Sequence, residues 1–200
     1  MNRDFIYLAS ASPRRRELLA QIGVPFRVRA AAIPEETLPG EAAAHYVERL
    51  AAAKAETVWS SLARGDARPV LAADTAVVFD GDILGKPADA AEAEAMLARL
   101  SGHTHRVLTA IAVRSDAGID TALAASEVRF RATTAAERQA YCRTGEPFDK
   151  AGGYGIQGKA AVFVEHLSGS YTAVVGLPLF ETAHLLGRVG VPVWVDAQAA

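Results

Sequence analysis

Residues 8–19, Leu8-Ala9-Ser10-Ala11-Ser12-Pro13-Arg14-Arg15-Arg16-Glu17-Leu18-Leu19, decide how the rest of the chain is read. Phe5 to Ala9 is a short apolar run and predicts a buried strand. Ser12 then suits a helix N-cap, and Pro13 the first helical position. Leu18, Leu19 and Ile22 share one helical face, and Gly23 stands where a terminating glycine belongs. The stretch therefore predicts strand, serine-rich turn, helix. Arg14 and Arg15 fall in the first helical turn, where free N–H groups and the helix dipole already favour negative charge. An anion bound there would turn an unfavourable arrangement into a favourable one, and strand–turn–helix starts of this kind hold phosphate. Arginine adds paired donors that match phosphate oxygens. A solvated basic helix start capped by a serine explains the same residues equally well.

Bulk composition limits the alternatives. The chain has 200 residues, half of them apolar, which suffices for one domain or two lobes sharing a core. We expect a single domain over residues 1–195 and a loose, disordered tail over 196–200. The net charge of −2 argues against a general nucleic-acid or membrane footprint, so a cationic site must be local. Cys142 is the only cysteine, so no disulfide forms within the chain and a cytoplasmic setting is expected. No apolar run approaches the roughly 20 residues of a membrane helix, and residues 1–20 lack the pattern of a secretory signal.

Strands and helices follow in irregular alternation. Val24 to Ala30 predicts a second strand, and residues 41–63 a helix whose apolar stripe is Val47, Leu50, Ala51, Ala55, Val58 and Leu62. Pro69 to Ala73 predicts a strand that ends at Asp74-Thr75. Ala76–Phe79 and Ile83–Leu84 flank Asp80-Gly81 as a hairpin. Asp89 with Glu92, and Thr134 with Glu137, have capping-box spacing for helices ending near Leu100 and Gly145. His105–Arg114 and Ile119–Arg131 predict a long strand pair, Lys159–Leu167 a strand and Leu177–Val189 a helix. The class is α/β with a mixed sheet.

Several residues carry chemical potential beside an ordinary explanation. Lys54 lies inside an apolar stripe, where it either snorkels to solvent or meets an anion. Asp74, at the expected strand end, stands where α/β folds place chemistry, although turn aspartates are common. Lys86, in Gly85-Lys86-Pro87, is a candidate cation or a surface turn lysine. Gly153-Tyr154-Gly155-Ile156-Gln157-Gly158 matches the dinucleotide pattern G-x-G-x-x-G, but lacks the strand before and helix after that the pattern needs. Its glycines suit close backbone approach to a ligand, with Gln157 offering an amide to a base edge. Histidines are scattered and Cys142 has no base placed near it. A metal would therefore be a hard, oxygen-bound ion held by carboxylates such as Asp74 and Glu35.

With these residues in view, the chain resembles the Maf family of nucleoside triphosphate pyrophosphatases from Leu8 to about Leu186. The stretches that carry the likeness are Ser10-Ala11-Ser12-Pro13-Arg14-Arg15, Lys54-Ala55, Ala73-Asp74-Thr75, Gly85-Lys86-Pro87, Leu100-Ser101-Gly102, Glu146-Pro147-Phe148-Asp149-Lys150-Ala151-Gly152, Tyr154-Gly155-Ile156-Gln157-Gly158 and Gly176-Leu177-Pro178. The resemblance implies a long mixed sheet with flanking helices and two lobes around a central cleft. It implies hydrolysis between the α and β phosphates, a divalent cation (Mg or Mn), homodimers, and a link to inhibition of septum formation. The Asp149-to-Gly152 and Tyr154-to-Gly158 stretches look like the subgroup acting on dTTP and UTP. Carried over residue by residue, Asp74 is the general base, and Arg14, Thr75 and Gln157 are specificity positions. Lys54, Lys86 and Glu35 supply phosphate and metal contacts, with Asp74 and Glu35 as the metal ligands. Ser10, Ser12, Arg15 and Lys150 are substrate-binding. Two departures stand out: a third arginine, Arg16, and Pro34 before Glu35, where Glu36 competes for the same role.

Two further functions fit the same residues: pyrophosphatase action on modified nucleotides, and a nucleotide-sensing regulator of septum formation that turns nothing over. Three arginines without an aromatic stacking set are too small a footprint for nucleic acid.

Overall fold

The computed structural model describes residues 4–63, 65–66 and 68–194. The segment 196–200, for which a disordered tail was expected, lies outside the described residues. In chain order the regular elements are β1 (Ile6–Leu8), α1 (Pro13–Gln21), β2 (Phe26–Val28), α2 (Ala43–Ser60), β3 (Val70–Phe79), β4 (Asp82–Leu84), α3 (Ala90–Leu100), β5 (Thr104–Ser115), β6 (Gly118–Phe130), α4 (Ala135–Cys142), β7 (Val164–Ser168), α5 (Tyr171–Val175) and α6 (Leu179–Arg188). Three short 3-10 turns, Glu146–Asp149, Ala151–Gly153 and Lys159–Phe163, fill the space between α4 and β7.

The strands form one seven-stranded mixed sheet in the order β2-β1-β3-β5-β6-β7, with β4 paired to β3. β1 runs parallel to both β2 and β3, whereas β4 returns antiparallel to β3 and β7 antiparallel to β6. Asp80 and Gly81 both take positive φ (51° and 83°), as a two-residue type I′ hairpin requires.

The chain divides into two compact units. The first comprises residues 1–74, 109–124 and 176–200; the second comprises 75–108 and 125–175. The first buries Ile6, Leu8, Leu19, Leu50, Leu71, Ile111, Leu177 and Leu186. The second has a core rich in rings, in which Phe130, Tyr141, Tyr154 and Phe163 pack with Leu97, Leu100, Val107 and Val128.

Local signals mostly hold where one element contains its own instructions. Thr134 accepts from the Glu137 N–H and the Glu137 carboxylate reaches back to the Thr134 N–H, a complete capping box. At α3, Asp89 accepts from the Glu92 N–H, but the Glu92 carboxylate reaches the Ala88 N–H instead.

Four expectations need correction. Ser12 occupies the N-cap of α1 but makes no side-chain cap; Pro13 follows it, and the Ser12 N–H itself donates to Ser10 Oγ at 3.2 Å. Asp74-Thr75 does not end a strand: β3 runs unbroken through it, since no Gly or Pro interrupts residues 70–79 and Lys54 satisfies the aspartate. Lys159–Phe163 forms a 3-10 turn before β7, because the Glu146 carboxylate takes the Lys159 and Ala160 N–H groups that a strand would use. The last helix begins at Leu179, after Pro178 in extended conformation at its N-cap.

Candidate active site

Lys54 settles the question its position raised. The stripe of α2 is buried at Val47, Leu50, Ala51, Lys54, Ala55 and Val58, and Lys54 is only 8% exposed. Its Nζ donates to Asp74 Oδ1 at 2.6 Å and lies 2.6 Å from Glu35 Oε1. The lysine thus turns inward, and two carboxylates converge on its ammonium. Of the adjacent glutamates, Glu35 is the one whose carboxylate meets Lys54.

The opening stretch adds two arginines and a serine to this unit. Arg15 donates through Nε to the Gly176 carbonyl at 2.8 Å and through Nη1 to Ser10 Oγ at 3.4 Å. Ser10 is buried, and its Oγ also receives the Ser12 N–H. Burial draws the Arg15 guanidinium below its ordinary value, Asp74 and Glu35 pull it back up, and Arg14 pushes it down. These influences make Arg14, Arg15, Asp74 and Glu35 electrostatic neighbours.

Asp74 is 7% exposed. Burial pushes its carboxyl above the usual range, Lys54 and Arg15 pull against that rise, and Glu35 adds to it. The result is a carboxylate held by one strong hydrogen bond and made more basic by its surroundings, the property a proton acceptor needs.

The loop that carries Glu35 is tied to α2, the helix that carries Lys54. The Tyr46 hydroxyl donates to the Glu35 carbonyl at 2.9 Å, and Arg49 donates to the Glu36 carbonyl at 3.1 Å. Arg49 also grips both oxygens of Glu41 at 2.6 Å, while Glu41 accepts the Leu38 N–H. That pairing holds the Glu41 carboxyl down to about 2. Sequence reading assigned Tyr46, Arg49 and Glu41 no part here. Tyr46 and Arg49 showed only helical spacing on α2, and Glu41 precedes that helix, so none of the three spoke of the loop beside them.

Thr75, Lys86, Lys150 and Gln157 belong to the second unit. Thr75 follows Asp74 on β3 and is less deeply buried. The Lys86 turn is bound to the glycine segment, for the Gly152 N–H donates to the Gly85 carbonyl at 3.0 Å. Lys150 donates to the Glu146 carbonyl at 2.8 Å and pairs with Asp149. Gln157 is exposed, in the turn closed by the Gly158 N–H to the Gly155 carbonyl at 2.9 Å. A 3-10 turn precedes G-x-G-x-x-G and another follows it, so the dinucleotide pattern has neither its strand nor its helix.

The metal question turns on donor chemistry. Among the described residues no three of His, Cys, Asp and Glu gather as a metal site. Asp74 and Glu35 nevertheless bring two carboxylate oxygens onto one cation, the Lys54 ammonium. Two hard oxygen donors without a full cage suit a divalent ion such as Mg, which completes its shell with water and phosphate.

The mixed α/β sheet thus carries an inward lysine met by two carboxylates, with a pair of arginines at a helix start as electrostatic neighbours. The chain belongs to the Maf family, matching the Maf-like protein family over residues 5–189. It is 52% identical over 192 residues to the dTTP/UTP pyrophosphatase of Bordetella avium (strain 197N), covering 93% of this chain and 96% of that one. The dTTP/UTP pyrophosphatase of Cupriavidus pinatubonensis (strain JMP 134 / LMG 1197) is 53% identical over 194 residues, covering 92% and 96%. That of Burkholderia pseudomallei (strain 1710b) is 56% identical over 192 residues, covering 91% and 92%. No helix among the described residues is long and apolar enough to cross a membrane.

Proposed function

We propose that this chain hydrolyses dTTP and UTP between the α and β phosphates, releasing the monophosphate and pyrophosphate. The observation that carries the reading is the buried Lys54–Asp74 pair at 2.6 Å, with Asp74 made more basic by its burial. The names of relatives more than half identical over nearly the whole chain support the substrate class.

Asp74 accepts the proton of the water that attacks the α phosphorus, while Lys54 fixes the orientation of its carboxylate. Arg14, Arg15, Lys86 and Lys150 offset the charge of the phosphates, and Ser10 and Ser12 shape the turn that receives them. Thr75 and Gln157 read the base, Arg14 sharing in specificity; an amide suits the O2, N3–H and O4 edge of uracil and thymine. Asp74 and Glu35 would hold a divalent cation (Mg or Mn), which when bound supplies further charge neutralisation on the phosphates. The setting is the cytoplasm, in keeping with a single buried cysteine, Cys142. The assembly is a homodimer, which light scattering of the purified chain tests.

A nucleotide panel with pyrophosphate detection tests the proposal. Turnover confined to dTTP and UTP is the expected result. Preference for modified nucleotides would move the function to nucleotide house-cleaning, and binding without pyrophosphate release would make the chain a sensor.

A further inference from the structure

Gln157 sits in a turn that is anchored on both sides, and the stronger anchor is a residue with no assigned role. On the N-terminal side Tyr154 is buried, its hydroxyl 2.8 Å from His105 Nε2 and its ring edge-on to Phe130 at 4.8 Å. On the C-terminal side the Glu146 carboxylate accepts the Lys159 N–H at 2.9 Å, the Ala160 N–H at 3.4 Å and the Tyr141 hydroxyl at 3.0 Å. The Glu146 carbonyl accepts from Lys150 Nζ. Burial alone would raise the Glu146 carboxyl, but these donors bring it below its usual value.

The glycines record how tightly the turn is pressed onto this carboxylate. A Cβ on Gly158 would stand 2.3 Å from Glu146 Oε1, and one on Gly155 would stand 2.7 Å from Lys150 Cε. At Gly158 the close approach is a matter of space and not of backbone conformation, since its φ of −103° is open to any residue. The room left by both glycines is thus taken by Glu146 and Lys150, where the sequence had suggested close approach of a ligand.

We propose that Glu146 is a positioning residue for base selection: its carboxylate clamps the Gly155–Gly158 turn so that Gln157 presents its amide in one fixed orientation. The proposal rests on the reading of Gln157 given above. A hydrogen-bonding site rejects a mismatched base only while its donors and acceptors are held in place. A Gln157 free to swing would pair with the cytosine edge almost as well as with uracil. Tyr141 contributes by holding the carboxylate from the other side.

The test measures kcat/KM for UTP and for CTP in the full-length chain, with the wild type, Glu146→Gln, Gln157→Ala and the double variant. Glu146→Gln keeps size but replaces one acceptor oxygen by an NH2 group that cannot receive a backbone N–H. We expect Gln157→Ala and Glu146→Gln each to lower UTP-over-CTP discrimination by about tenfold, and the double variant to lose no more than either alone. Losses that multiply in the double variant would overturn the proposal. So would wild-type discrimination in Glu146→Gln beside a loss in Gln157→Ala. Wild-type discrimination in Gln157→Ala would overturn the reading of Gln157 itself, and the clamp with it. If Glu146→Gln fails to fold, Tyr141→Phe carries the test, since it keeps the carboxylate and removes one donor. A partial loss of discrimination there supports the clamp, and an unchanged ratio overturns it.

Discussion

The two units bury polar groups in opposite ways. In the first, Lys54 and Asp74 are both nearly inaccessible and meet at 2.6 Å as an ion pair, with Arg15 and Glu35 as electrostatic neighbours of Asp74. In the second, the deepest polar group is His105, 2% exposed, which faces the Tyr154 hydroxyl and the edges of aromatic rings. One unit buries an ion pair; in the other, burial favours the neutral forms of the buried titratable groups His105 and Tyr154. A buried ion pair is weak evidence of stability, because desolvation offsets most of the attraction.

The largest expected effect breaks the charged side of this contrast. Asp74→Asn should reduce dTTP turnover by roughly two to four orders of magnitude while dTTP binding, followed by calorimetry, persists. Wild-type pyrophosphate release from that variant would remove Asp74 from the role of base. Next, Lys54→Met leaves Asp74 buried without its partner and should cost roughly 3–5 kcal/mol in urea unfolding. A midpoint close to wild type would mean that the pair is no more than a solvated contact.

Acid titration sharpens the comparison, because the two units respond with opposite sign. Burial holds His105 down to about 4, from an ordinary value near 6.5. Its neutral form is the folded one, so the unfolded chain binds the extra proton between those values and stability falls as pH drops from 6.5 to 4. The loss amounts to about 3 kcal/mol at most. His105→Gln should flatten that limb of the stability curve. Asp74 acts the other way: its raised value means the folded state binds the proton first, so its contribution grows as pH falls toward the unfolded value. In Asp74→Asn the acid loss should therefore be steeper than in wild type. Equal slopes in wild type and both variants would show that neither group differs between folded and unfolded states.

The smallest effect comes from a purely local device. Thr134→Ala removes the capping box of α4 and should cost about 1 kcal/mol in thermal or urea unfolding, with no change in base preference. A change in base preference in that variant would show that the α4 cap reaches the site.

Legibility followed the range of the interactions involved. Caps at Asp89 and Thr134, the Asp80-Gly81 hairpin, and the stripe of α2 were readable because each needs only neighbours within about four residues. The two arginines in the first turn of α1 were readable for the same reason. The inward turn of Lys54 was not, since its partners stand 20 residues away on β3 and in the loop at Glu35, and helical spacing serves a snorkelling lysine as well as a buried one. The unbroken run of β3 through Asp74 failed on the same point: an aspartate reads as a strand end until a cation is found to satisfy it.

Composition, punctuation and periodicity were enough to establish an α/β chain, the order of most of its elements and the short stretches in which chemistry had to lie. Tertiary structure alone decided which oxygen meets which cation, that Glu35 rather than Glu36 reaches Lys54, and that Glu146 fills the room beside the glycines. The reason is physical: secondary-structure signals act over a few ångströms of chain, whereas hydrogen bonds and desolvation depend on groups that only the folded core brings within reach.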